Sequence, residues 1–378
     1  MKKIAISPES EFVLQLVHYL EPDYKRINEL IELDLDWNQI LGILSFHRIA
    51  GLAYYVLNND NIEHKRLHRP IMFGLGMTFD AFYARVSAMN HYILELNDIL
   101  AEKSIKCAFL KGSLLSNVIY PWGCRASSDV DILVNASDID NVDIILRDLG
   151  YQQGEYDFVN RKVIEFNRRE LVYRRMNWGE IAMYHKTINE PCAGKVSIDV
   201  NFSLDWHPYN TQNTVEEFLN NIMLYKSDIS DVSIYSLQKE LFLLQLCIHA
   251  HKEVNLFRMV ETMQDLELYK FIDIYTFIQL DYVKWDKFIY LVKRYNFEKE
   301  CYLVFKYIEK MFFNIKSNKT LKQLLNAFDP KEYEYMNEVY DPATPNIKYV
   351  WTNSLLDRLF NPNHITFLKK IESEVTTQ

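Results

Sequence analysis

Three periods of hydrophobic patterning follow one another along the chain. Over residues 1–103 the apolar positions recur at helical spacing. Ser7-Pro8-Glu9-Ser10-Glu11 has the form of a helix start, with proline and acids in the first turn, and Phe12, Leu14, Leu16, Val17 and Leu20 form the apolar face behind it. Asp36 predicts the cap of a second helix that runs through Ile40, Leu41, Ile43 and Leu44 to Leu57. Arg69-Pro70 opens a third, which reaches Lys103 and tolerates Gly74 and Gly76 at some cost. These positions predict an N-terminal helical bundle.

The period changes at Ser104. Cys107-Ala108-Phe109-Leu110 is a short apolar run suited to a buried strand, and Lys111-Gly112-Ser113 ends it before a short helix over Leu114–Tyr120. From Asp129 to Val134 the alternation is that of a strand, and Ala136–Leu149 is amphipathic, with Ser137 as the expected cap and Gly150 as the stop. Leu171-Val172-Tyr173 and Ile181-Ala182-Met183-Tyr184 predict two strands about an Asn177-Trp178-Gly179 turn. A clearer strand follows, in which Val196, Ile198, Val200 and Phe202 alternate with Ser197, Asp199 and Asn201.

Helical spacing returns after Trp206-His207-Pro208. Ser236 is the expected cap of a helix over 238–251, and further helices are expected over 258–280, 283–296, 298–315 and 355–371. The pattern therefore predicts three parts: a helical bundle over 1–103, a central α/β unit over 104–207, and a C-terminal helical domain over 208–378.

Charge sits oddly in the central domain. Asp129 and Asp131 alternate with Val130, Ile132 and Val134, so a strand places both carboxylates on one face. At a separation of roughly 6–7 Å they repel by about 2–3 kcal/mol at an effective dielectric near 20. Something positive belongs beside them. A divalent cation is the simplest candidate, because Mg²⁺ commonly combines one or two protein carboxylates with substrate phosphates. Asp199 adds a third carboxylate in an apolar ladder, and Asp205 is its nearest competitor.

Composition narrows the function classes. With 49% apolar and 25% charged residues in 378, the chain is long enough for two or three packed cores. The 25 Tyr, 22 Phe and 6 Trp are expected mainly as core between helices. A net charge of −9 opposes a broad nucleic-acid footprint, although residues 161–175 hold six basic against two acidic side chains, a solvated face or a clamp for phosphates. The five cysteines are scattered without Cys-x-x-Cys spacing and predict reduced thiols rather than zinc ligands. No signal peptide or membrane span is expected, which gives a cytoplasmic protein.

A Gly-Ser turn after a strand, Asp-x-Asp on the next strand and a later lone aspartate together resemble the polymerase-β-type nucleotidyltransferase superfamily. More closely, Leu110-Lys111-Gly112, Tyr120-Pro121, Arg125 and Ser128-Asp129-Val130-Asp131-Ile132-Leu133-Val134 resemble a bacterial family of nucleotidyltransferases. His249 and Asp273 resemble that family's helical region, which carries His on one helix and Asp on the next. The resemblance implies an α+β fold, a polymerase-β-like core with a small mixed sheet between the two helical domains, in which Asp129, Asp131 and Asp199 are catalytic and hold Mg²⁺ or Mn²⁺. It implies that Lys111, Gly112, Ser113, Arg125 and Ser128 bind an NTP, with ATP the expected donor. Lys111 and Arg125 have an alternative role, pairing with the aspartates themselves.

The implied reaction moves an NMP group from the NTP to a hydroxyl of a small molecule, peptide or protein, releasing pyrophosphate. The acidic total charge disfavours a polynucleotide acceptor. Two other functions remain in view: a toxin-like transferase acting on tRNA, and a nucleotide-binding scaffold that keeps the fold without turnover.

Overall fold

A computed structural model describes residues 6–178, 181–205, 211–312, 318–344 and 346–372. Polar caps set the first helices. Ser7 accepts from the Ser10 N–H ahead of α1 (Pro8–Leu16), Asp23 accepts from the Arg26 N–H ahead of α2 (Tyr24–Ile31), and Asp36 accepts from the Asn38 and Gln39 N–H groups of α3 (Trp37–Phe46). The helix expected from Asp36 to Leu57 is two helices, because Arg48 takes a positive φ of 56° and α4 (Ala50–Leu57) starts afresh behind it. The long helix expected from Arg69 is present as α5 (Arg69–Glu102).

The central sheet has six strands: β1 (Cys107–Leu110), β2 (Val130–Val134), β3 (Gln152–Asp157), β4 (Lys162–Glu165), β5 (Tyr184–Glu190) and β6 (Ala193–Asn201), in the order β1-β2-β6-β5-β3-β4. β2 and β6 run parallel and their neighbours antiparallel, so the sheet is mixed, as the resemblance implies. Both β1 and β2 are buried along their whole length, which explains their near-continuous aliphatic sequence. Helix α6 (Gly112–Val118) joins β1 towards β2, and α7 (Ile139–Asp148) follows β2.

Several expectations fail in this region. Leu171-Val172-Tyr173 lies in a helix, α8 (Arg168–Trp178), not a strand. Val172, Tyr173 and Met176 are exposed on it, so no apolar stripe reveals its period. The Gly179 of the expected turn lies outside the described residues, as does Trp206-His207-Pro208 with the 207/208 boundary. Ser137 makes no side-chain cap bond. Beyond α9 (Gln212–Leu219), β7 (Ile222–Lys226) and β8 (Ser233–Leu237) form a hairpin, in which Ser236 donates to the Phe109 carbonyl at 2.5 Å instead of capping a helix.

The remaining helices are α10 (Lys239–Asn255), α11 (Phe257–Glu261), α12 (Leu268–Gln279), α13 (Trp285–Arg294), α14 (Glu298–Met311), α15 (Lys319–Phe328) and α16 (Leu355–Leu359). Aromatic side chains fill this region as expected: the Phe288, Phe305 and Phe328 ring centroids lie 6.1–6.3 Å apart, all buried. The segment expected as one helix over 258–280 is broken after Glu261. The one expected over 355–371 is a five-residue helix and then a strand: β9 (Glu338–Val339), β10 (Ile347–Trp351) and β11 (Leu368–Glu372) form a small antiparallel sheet. The C-terminal part is therefore not purely helical.

Two compact units result. One comprises Ile49–Asn59 and Leu67–Phe242; the other comprises Met1–Arg48, Asp60–Arg66 and Leu243–Gln378. They do not follow three consecutive segments, since α5 groups with the sheet while α1 to α3 group with the C-terminal helices. All five cysteines are free; four are buried and Cys192 is exposed.

Candidate active site

The site grows out of the turn that ends β1. Leu110 is still paired with Asp131, and the chain then leaves the sheet at Lys111 with φ 46° and ψ −122°, a backbone region that glycine adopts far more readily than lysine. That bend lets the Lys111 ammonium reach back to its neighbour strand. Its Nζ lies 2.7 Å from Asp131 Oδ1, and the Asp131 side chain is only 4% exposed. A cation does sit at the carboxylate, as the repulsion argument requires, and it is the Lys111 ammonium, in the alternative role of pairing with the aspartate.

Gly112 begins α6 under close constraint. A Cβ there would fall 2.4 Å from Ser127 Oγ and 2.7 Å from Arg125 Nη1, so any side chain would have to push those two groups aside. The buried Arg125 and the 125–128 loop are thereby packed directly over the turn, and Arg125 Nη1 donates to the Ala126 carbonyl at 3.3 Å. Ser113, in the first turn of α6, is 2% exposed and its Oγ has no hydrogen-bond partner. It lines a narrow cleft together with Arg85, Ser116, Asn117, Ser127 and Asp129, and the Ser116 Oγ is equally unpartnered.

The carboxylates come from two adjacent strands. Asp131 on β2 stands in register with Asp199 on β6, so the two side chains share a face with strands about 4.8 Å apart. Asp129 lies two residues before Asp131, just ahead of β2, where Ser128 Oγ donates to its Oδ1 at 2.9 Å. Ser127 Oγ donates to the Asp129 carbonyl at 3.2 Å. Asp205 lies past the end of β6 with Ser203 Oγ donating to it at 3.4 Å, off this row. The topology thus gathers Lys111, Gly112, Ser113, Arg125, Ser128, Asp129, Asp131 and Asp199 around one end of β1 and β2 and the neighbouring strand β6.

Among the described residues, no three His, Cys, Asp or Glu side chains converge tightly enough to hold an ion between them. The donor chemistry still suits Mg²⁺, which needs only one or two carboxylates when phosphates and water complete its shell. Asp131 and Asp199 form such a pair, and the buried Ser113 and Ser116 hydroxyls beside Asp129 are polar atoms for which no described residue supplies a partner.

Three further residues join the face. Arg85, on α5, donates from Nε to the Ser127 carbonyl at 2.7 Å and from Nη2 to the Ser128 carbonyl at 2.8 Å, fixing the loop that carries Asp129. Burial lowers its pKa and the Asp129 charge opposes that shift. Lys195 shares the β6 alternation with Ser197 and Asp199. His185 on β5 is paired with Ser197, and its Nδ1 lies 2.9 Å from Ser197 Oγ. Burial, helped by the Lys195 charge, pushes His185 down to about 4. Lys195 was legible only as the first residue of the Asp199 strand, His185 lies just past the strand expected over Ile181–Tyr184, and nothing in sequence spacing points to Arg85.

His249 and Asp273 belong to the other unit. There His249 Nε2 lies 3.3 Å from Glu253 Oε1, and the buried Lys270 joins Glu253 at 2.5 Å and Glu267 at 3.0 Å, an ion-pair network between α10 and α12.

A mixed sheet with a Lys-Gly-Ser turn beside carboxylates on neighbouring strands is consistent with an α+β nucleotidyltransferase fold. The profile of the uncharacterised nucleotidyltransferase family matches residues 34–313, so the chain belongs to that family and is a transferase of nucleotidyl groups. No curated protein and no solved structure gives a match. Among the described residues, no helix is long and apolar enough to cross a membrane.

Proposed function

We propose that the protein transfers an NMP group from an NTP, with ATP the expected donor, to a hydroxyl of a small molecule, peptide or protein. The observation that carries this is the in-register pair Asp131 and Asp199 on parallel strands, beside a turn whose glycine is packed against Ser127 and Arg125. The Gly112 backbone and Ser113 hydroxyl are assigned to the triphosphate, and the Arg125 guanidinium packed over Gly112 meets the phosphates beside them. Lys111 and Arg125 add positive charge on the same side, and Ser128 orients Asp129. Asp131 and Asp199, with Asp129 beside them, would hold Mg²⁺ or Mn²⁺ together with phosphate and water ligands, and the bound ion would neutralise charge on the triphosphate and the departing pyrophosphate.

The acceptor oxygen attacks the α-phosphorus. A new P–O bond forms to the acceptor, the bond from the α-phosphorus to the bridging oxygen breaks, and pyrophosphate leaves with that electron pair. Asp199 takes the proton of the attacking hydroxyl. The experiment is pyrophosphate release from each NTP in the presence of cell extract, with and without Mg²⁺ or Mn²⁺. Release should depend on the metal and fall at least about a hundredfold in Asp131→Ala, a loss comparable with removal of other preorganised electrostatic groups. Wild-type release by Asp129→Ala/Asp131→Ala would refute the assignment, and NTP binding without turnover under all conditions would make the protein a scaffold.

A further inference from the structure

Lys195 precedes Asp199 by two steps of strand alternation, so its side chain leaves β6 on the face that carries the carboxylates. Its ammonium makes no hydrogen bond or ion pair with any described residue. Instead it lies 5.2 Å from the ring centroids of both Tyr156 and Phe158. These rings are held in place: Tyr156 Oη donates to the Gly194 carbonyl at 3.1 Å, and the two rings meet edge to face at 5.2 Å. Lys195 is half-buried, within reach of the Arg85 and Asp129 charges. A half-buried cation held by rings, with no carboxylate in contact, gains most when an anion arrives from outside.

Direction decides which anion. In an in-line displacement the acceptor enters opposite the departing pyrophosphate. The Lys111-Gly112 turn lies on the β1 side of Asp131, and Lys195 lies on the β6 side. We infer that Lys195 anchors an oxyanion carried by the acceptor, a phosphate or carboxylate near the hydroxyl that receives the NMP group. The inference rests on the nucleotidyl-transfer assignment for the same face. Tyr156 and Phe158 shape the entrance to it, and Phe158 is 74% exposed where an incoming molecule would meet it.

The test is an acetylation footprint on the full chain. Acetic anhydride modification of Lys195 is quantified by peptide mass spectrometry while inorganic phosphate, or succinate as the carboxylate probe, is titrated in. Oxyanion occupancy should slow Lys195 acetylation by about tenfold, with other exposed lysines unchanged. Stronger protection by phosphate identifies a phosphate-bearing acceptor, and stronger protection by succinate a carboxylate-bearing one.

A non-hydrolysable NTP analogue should bind Lys195→Met as tightly as the wild type, and Lys195→Arg should match the wild-type unfolding temperature. Absence of protection by either oxyanion overturns the inference. So does a tenfold loss of analogue affinity in Lys195→Met, which would make Lys195 a donor clamp. If protection persists while no NTP supports pyrophosphate release, the anion site stands and the transfer assignment falls.

Discussion

Removing the Lys111 ammonium measures how much of the Asp131 charge the protein itself neutralises. Lys111→Met leaves a carboxylate that is 4% exposed without the charge that stood 2.7 Å away. At that distance the Coulomb energy is about 6 kcal/mol at an effective dielectric of 20 and about 1.5 kcal/mol in bulk water. The lysine side chain is 18% exposed, so the contact sits between those limits. Breaking a buried pair while one charge remains costs about 3–5 kcal/mol, and partial exposure of the lysine places the expected loss near the lower end, about 3 kcal/mol. Met carries the same backbone strain as Lys at this φ, so that contribution cancels.

Asp131→Asn leaves a lysine that can turn to solvent and should cost only about 1 kcal/mol. The double variant should recover part of the loss, giving a coupling energy of about 2 kcal/mol. The assay is urea unfolding of the four proteins at pH 7 with a chelator present. A Lys111→Met cost below about 0.5 kcal/mol, or no measurable coupling, would show that solvent rather than Lys111 neutralises Asp131.

Other perturbations follow from the same geometry. Gly112→Ala should lose about 1–3 kcal/mol of stability and weaken NTP binding, because the new methyl group meets Ser127 and Arg125; unchanged unfolding would mean the 125–128 loop yields freely. Arg85→Met should raise hydrogen exchange at 127–129 and cut transfer by about tenfold with little change in unfolding temperature, since it removes both anchors of the Asp129 loop. Acid should destabilise the fold between pH 6.5 and 4. Burial holds His18, His185 and His251 down at about 4 and His47 at about 3, so the unfolded chain binds more protons in that window and stability rises with pH up to 6.5. His364 works the other way: burial opposes its charge but Asp265, 2.9 Å away, raises its pKa, so its contribution is lost as pH rises through that raised value. His185→Asn should remove up to about 3 kcal/mol of the acid sensitivity in pH-jump unfolding, and an unaltered profile would place that imidazole in solvent.

How much of this was legible depended on period and on distance along the chain. The β1 turn, the Asp-x-Asp strand and the Asp199 strand were readable because alternation inside apolar runs is a strong local signal, whereas their pairing into one mixed sheet was implied only by the family resemblance. Helix α8 was not, because Val172, Tyr173 and Met176 are exposed and leave no buried stripe. β11 was missed because a helical reading of 355–371 and a strand pairing with β10 differ only in a partner the sequence does not name. Arg85 could not be foreseen either. It reaches Ser127 from forty-two residues away, through the packing of α5 against the loop. The two-unit division, likewise, depends on contacts between the chain's ends that have no local signature.

The backbone at Lys111 has a consequence for anyone selecting sturdier variants. Glycine would relax that bend by about 1–3 kcal/mol, and so would offset much of what the lost ion pair costs. Lys111→Gly is then close to neutral in a stability screen while it discards the charge beside Asp131. Thermal selection alone would drift towards a well-folded protein with an unbalanced carboxylate row, and only an activity screen run alongside would hold the lysine in place.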